Sequence, residues 1–187
     1  EAAEDETGTT ASMLVISEVL VGAPGNNNLE FIELYNPTTQ AVDLRGWTLL
    51  YQPPNQDPIE LFRWSRRADI PGLGHYLLAR EGEAIGALGD DFFTTGLFKR
   101  GGLVLLNRDG EIVDRVGWDE AAADYVNGSP VPPVADGQSY ERKPGGPGGN
   151  GQNTLDNAAD FSAATPNPQN SGDTPTPLPE GFLQISL

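Results

Sequence analysis

The residues best suited to chemistry in this chain are carboxylates, and one stands out. Glu33 sits inside "FIELYNPTTQAVDLRGWTL", an otherwise strand-like run over positions 31–49. An acid there serves as a catalytic group, a metal ligand or a structural acceptor. Strand alternation puts Phe31, Glu33 and Tyr35 on one face and Glu30, Ile32, Leu34 and Asn36 on the other. With Ile32 and Leu34 turned to a core, Phe31 and Tyr35 flank a Glu33 bonded to loop amides or to Arg45. Catalysis would need a second acid or a histidine delivered by the fold, and no motif supplies one. A structural role is therefore the expectation.

The other candidates are weaker. The single histidine, His75, opens "HYLLAR" after "PGLG", and the chain has no Gly-x-Ser-x-Gly elbow, so a nucleophilic triad is not expected. Glycoside hydrolysis by a carboxylate pair is poorly served by a small sandwich without an aromatic-lined cleft. Asp156, Asn157 and Asp160 crowd one Gly- and Asn-rich loop, and Asp90 adjoins Asp91. Such oxygens suit calcium, the one cofactor the sequence suggests, with Asp156 and Asp160 as its ligands; the spacing is not that of an EF-hand. The competing use of Asp156 or Asn157 is to cap a turn through backbone amides. Of Trp47, Trp64 and Trp118, Trp47 reads as core and Trp64, in "LFRWSRR", as the surface residue for stacking a glycan or another ligand. Thr174 and Thr176 in "DTPTPLPEG" resemble a proline-spaced, O-glycosylated stalk, and "NGS" at Asn127 matches an N-glycan acceptor, disfavoured by Pro130.

Acidic residues outnumber basic ones 27 to 11, for a formal net charge of −16. That surface repels phosphate backbones and anionic headgroups, so neither nucleic acid nor a membrane surface is an expected partner. No apolar run is long enough to cross a bilayer. The absence of cysteine removes disulfides and thiolate metal sites. The start "EAAEDETGTTASM" lacks a signal's basic and apolar regions, so an exported protein would be in its mature form, after signal removal.

The elements that must position these groups are short strands. "MLVISEVL", "LEFIELYN", "VDLRGWTLLYQ", "IELFRW" and "HYLLAR" are β-rich and parted by Gly, Pro and Asn. "GGLVLLNRDGEIVDRVGW" is a hairpin in which Asp109 and Gly110 are expected at positive φ. Without long amphipathic helices, the fold class is all-β. The chain divides into an acidic leader (1–12), a sandwich (13–172), a Pro-rich linker (173–181) and a C-terminal strand (182–187).

The ordered series "ISEVL", "LEFIELYNPTTQAVDLRGWTL", "IPGLGHYLLA", the "GGLVLLNRDGEIVDRVGW" hairpin, and "GQSYERKP" followed by "DNAADFSAATPNPQNSG" resembles the lamin-tail domain. The likeness runs from Ile16 to about Gly172. It implies an immunoglobulin-like β-sandwich with extended N- and C-terminal tails, of the kind found in nuclear lamins and in exported bacterial proteins. There such modules accompany nucleases, phosphatases or adhesive repeats. No catalytic partner domain is legible in these 187 residues, which turns the expectation to binding or assembly.

In "FLQISL", Leu183, Ile185 and Leu187 alternate with polar residues behind a stiff spacer, and Phe182 opens the strand. Added to the sheet edge of a neighbouring copy, the three alternating side chains would contribute on the order of 5–8 kcal/mol before entropy losses. The expected function is thus a non-enzymatic extracellular or cell-surface subunit forming a filament or surface layer with copies of itself. The alternatives are a tail folded onto its own sheet, a monomeric module binding carbohydrate or another extracellular ligand, and, last, a calcium-dependent hydrolase.

Overall fold

The computed structural model describes residues 14–176. The leader through Met13 and the segment from Pro177 onward, including Phe182, Leu183, Ile185 and Leu187, lie outside the described residues.

A six-stranded sheet carries the carboxylates. Its order is β12 (Phe161–Ala164), β11 (Ser139–Arg142), β1 (Val15–Ala23), β2 (Asn26–Tyr35), β7 (His75–Arg80) and β8 (Asp91–Phe93). Every pair is antiparallel except β7 with β8. A four-stranded sheet packs on it in the order β10 (Ile112–Trp118), β9 (Gly101–Leu106), β4 (Thr48–Gln52) and β5 (Ile59–Arg63). A small ribbon pairs β3 (Val42–Asp43) with β6 (Asp69–Ile70). This is the expected all-β sandwich. The one α-helical turn among the described residues is α1 (Asn157–Asp160), and "DEAAADYV" contributes a 3₁₀ turn at Ala123–Tyr125.

Period-two alternation builds the core between the two sheets. Ile16, Val19, Ile32, Leu34, Tyr76 and Leu78 of the larger sheet meet Leu49, Tyr51, Leu103, Leu105 and Val116 of the smaller one. Aromatic rings tie them together. Trp118 stacks between Tyr51 and Tyr140, with ring centroids 6.4 and 5.7 Å away.

Two sequence expectations shift in detail. "VDLRGWTLLYQ" is not one strand, because Gly46 at φ +88° and the Trp47 N–H donating to Leu44 O turn the chain between β3 and β4. In the turn of the β9–β10 hairpin Gly110 takes positive φ and Asp109 does not. Gly110 N–H donates to Asn107 O while the Asn107 carboxamide oxygen accepts from Asp109 and Glu111 N–H, so the Asn side chain leaves Asp109 in ordinary space.

At Gly102, in β9, a Cβ would stand 2.6 Å from Tyr125 Cβ. The Gly102→Ala variant should lose about 1–3 kcal/mol through overpacking, read as a lower urea midpoint at unchanged slope.

Candidate functional site

The outer face of the larger sheet, turned away from the sandwich core, is covered in two parts. Over one part, Leu20, Phe31 and Leu77 form an apolar patch packed with Leu29 and Ile85, the latter from a 3₁₀ turn at Ala84–Leu88. Over the other lies a row of acids. Strand register sets Glu141 opposite Glu18, Glu18 opposite Glu33, and Glu33 opposite Leu77, whose N–H and carbonyl are both bonded by Asp90. A register shift in β1 between Ile16 and Glu18 delivers Ser17 and Glu18 together to this face.

Residues 165–171 cross this row as a strap, continued to Thr176. Pro166 and Pro168 have no N–H, so the available amides alternate along the strap, and the acids collect them. Asn167 N–H donates to Glu18 (3.3 Å), Gln169 N–H to Glu33 (2.7 Å) and Ser171 N–H to Asp90 (2.9 Å). The Ser171 hydroxyl adds a bond to Asp90 (2.6 Å), and Asn170 N–H caps onto Asp173 (2.8 Å). The far end is fixed by Thr176 N–H to Leu73 O and by the Tyr35 hydroxyl to Thr176 O.

Glu33 is therefore an internal acceptor. One oxygen accepts from the Ser17 hydroxyl (2.6 Å) and the other from Gln169 N–H, while Arg45 pairs with Asp43 instead. Burial, reinforced by the Glu18 charge, holds the Glu33 carboxyl well above the usual carboxylate range. Burial likewise pushes Glu18 up to about 7, with Glu141 adding to the rise and the Ser139 hydroxyl and Asn167 N–H opposing it. His75 lies close, its Nε2 3.7 Å from Glu33, but that nitrogen bonds the Asn150 carboxamide oxygen at 2.9 Å. Burial keeps the imidazole below its ordinary value. Ser17, Glu33 and His75 resemble a triad only in composition. The serine donates directly to the acid, the histidine is spent on Asn150, and all three are at most 1% exposed.

A second buried centre escaped the sequence reading. Arg142 is fully buried and donates to Asp114 (2.6 Å), Ile16 O (2.8 Å) and Gln152 O (2.8 Å), with its guanidinium 4.5 Å above the Phe161 ring. Asp114 also accepts the Ile16 N–H. The centre thus ties β1, β10 and β11 across the sandwich. A basic residue in "SYERKP" and an acid in "EIVDRVGW" gave no sign of meeting; only the topology unites them.

Several candidate residues find other work. Trp64 is not a surface platform. It is 1% exposed and edge-on to Phe62 and Tyr76, held just past β5 by its N–H donating to Trp47 O and by its carbonyl accepting from Gly46 N–H. Asp156 caps α1, accepting from Ala158 and Ser129 N–H. Asp160 is buried and accepts from Thr154 N–H, the Thr154 hydroxyl and Gln152, with Arg142 3.8 Å away. Among the described residues no three His, Cys, Asp or Glu side chains group to hold a metal, and the two acids expected at a calcium site serve here as a cap and a loop anchor. Asp90 holds the strap, and Asp91 accepts from the Tyr76 hydroxyl and Arg66. Thr174 is exposed, whereas Thr176 is buried with its hydroxyl accepting from Gln169, which closes it to a glycan. The linker drawn from 173 thus begins with three exposed residues and is fixed to the sandwich at Thr176.

Comparison with known proteins places this architecture. The sequence model described as Lamin Tail Domain matches residues 7–120. No curated protein matches the chain significantly. Among solved structures, the crystal structure of a DUF4876 family protein from Bacteroides thetaiotaomicron superposes with a TM-score of 0.60 at 12% identity, covering 91% of this chain and 75% of that one. At that identity the likeness concerns the fold. The matched segment spans both strands of the Glu18–Glu33 pair and the β9–β10 hairpin, and on it the chain belongs to the lamin tail domain family.

Proposed function

We propose that the chain is a non-enzymatic structural module, acting outside the cell or on its surface, that joins copies of itself into a filament or layer by adding its C-terminal strand to a neighbouring sheet. The observation that carries this reading is the strap. Its prolines and amides spend Glu18, Glu33 and Asp90 on holding chain in place, which leaves the acids without an open position for a substrate and leads the chain into its C-terminal tail from a fixed point at Thr176. The edge strands β8 and β12 of the larger sheet, and β5 of the smaller, each have one unpaired side among the described residues, where an added strand would find donors and acceptors. Val131 and Asn157 occupy the outer side of β10 from Arg115 to Trp118. The surface charge argues against nucleic acid and anionic membranes as partners.

A monomeric binding module is the second reading, with a groove beside Tyr140 as its candidate site. The groove is lined by Val21, Lys99, Asp119, Val134 and Gln138 and encloses about 150 Å³. That is below the roughly 300–1,000 Å³ of small-molecule sites. With Trp64 buried, a glycan would have to stack elsewhere.

Deleting Phe182 to Leu187 tests the assembly reading. Light scattering and electron microscopy should show polymers for the full chain and monomers for the truncated one. Polymers unchanged by the deletion overturn tail-driven assembly.

A further inference from the structure

The strap is fastened almost wholly through carboxylates, and the acids beneath it crowd one another. Glu141, Glu18 and Glu33 are direct cross-strand neighbours in β11, β1 and β2. The groups that bond them are amides and hydroxyls: Ser17, Ser139, Gly146 N–H, Asn167 and Gln169. No lysine or arginine bonds or pairs with the three among the described residues. From β7 the facing titratable group is His75, held by Asn150; from the strap it is Asp173, and at the far end of the row Asp90. Arg142 belongs to the opposite, core-facing side of β11, where it pairs with Asp114.

Two buried acids that share one site keep a proton between them as long as water is excluded. The strands cannot part to relieve a second charge, since β1 and β2 are paired from Val15 to Ala23. The strap can lift, because nearly all its holds are single hydrogen bonds and its side chains are mostly half-buried or exposed.

We propose that the strap over Glu18 and Glu33 is a proton-dependent clasp, closed when the pair holds its proton and released as the pair ionises, so that acidity governs how much of the C-terminal segment is free. Its bearing on assembly rests on the function proposed above; the clasp itself does not. The sign follows from the two states. In the closed state Glu18 titrates at about 7, and once lifted into water it returns toward its ordinary 4.5. The open state therefore gains about tenfold per pH unit between those limits from Glu18 alone, and Glu33, raised from the same ordinary 4.5, steepens the gain and carries it higher. His75, buried neutral, works in the opposite sense below its ordinary 6.5.

Amide hydrogen exchange of the full chain, corrected for intrinsic rates, reads this directly. Protection at Asn167, Gln169 and Ser171 should fall at least tenfold per unit from pH 5 to 7 and lie well below that of Ile32, Leu34 and Leu78 in the core at every pH. In Glu18→Gln the fall should become shallower by about tenfold per unit, with Glu33 sustaining the remainder and His75 opposing it. Strap protection that stays constant with pH, equals that of the core at every pH, or keeps its slope in Glu18→Gln overturns the clasp. The same samples, scored for polymers at pH 5 and 7.5, separate the two ideas: exchange that follows pH without polymers keeps the clasp and removes assembly, and polymers with pH-independent exchange do the reverse.

Discussion

Arg142→Ala should cost about 3–5 kcal/mol of folding stability, the largest loss expected from any single polar truncation in this chain. The guanidinium is fully buried, and its removal strips Asp114 of its only cationic partner among the described residues and takes away the bonds to Ile16 O and Gln152 O. Burial already outweighs the attraction of Arg142 and holds the Asp114 carboxyl above its ordinary value. Without the arginine that acid must take up a proton or open the sandwich to water. The Phe161 ring loses the cation above it as well. Urea unfolding measures the loss. Arg142→Lys, which keeps the charge but not the fork, should fall between wild type and alanine. The double variant Arg142→Met with Asp114→Leu should recover part of the loss, because a missing partner costs more than an absent pair. A loss below about 1 kcal/mol for Arg142→Ala would show that the centre is dispensable.

The second large effect is on the pH dependence of stability. Glu18 is raised in the folded chain from 4.5 to about 7, so the native state binds a proton that the unfolded chain has released. Stability from this group is complete below about 4.5 and drains away as pH rises through 7, by about 3 kcal/mol at about 1.4 kcal/mol per unit. Glu30, Glu33 and Asp114 are raised too and act in the same sense. His75 opposes them below its ordinary 6.5, and the lowered carboxyls of Asp43 and Glu60 cost stability only in stronger acid. Urea midpoints should therefore peak on the mildly acid side and decline toward pH 8, and Glu18→Gln should remove much of the decline. A midpoint that rises steadily from pH 5 to 8 would contradict the assignment.

Alternation and turn residues carried most of the fold into view. The strands around Ile16, Ile32, Leu78 and Leu105 were readable because their apolar positions recur every second residue and Gly, Pro or Asn parts them. The orientation of Glu33, with Phe31 and Tyr35 beside it and a loop amide as partner, was readable for the same reason. The rest depended on contacts distant in sequence. Gln169 lies 136 positions from Glu33, and Arg142 lies 126 from Ile16, and no local pattern announces either pairing. Trp64 misled because arginines surround it in sequence while the chain just past β5 turns only the indole inward. Asp156 and Asp160 misled because loop acids that cap turns have the same composition as loop acids that hold calcium. The alternate prolines of "TPNPQNS" were the one legible sign of the strap, since they ration its amides to the positions that the acids accept.

The central claim is that Glu33 is there to hold the strap, and a double-mutant cycle tests it most directly. Glu33→Ala removes the acceptor, and Gln169→Pro removes the N–H that it accepts while keeping the extended backbone of its proline neighbour. The two changes should be non-additive in urea unfolding by roughly 1–2 kcal/mol, the double variant losing less than the singles combined. Losses that add to within about 0.5 kcal/mol would mean that acid and strap do not depend on each other, and the structural role assigned to Glu33 would be wrong.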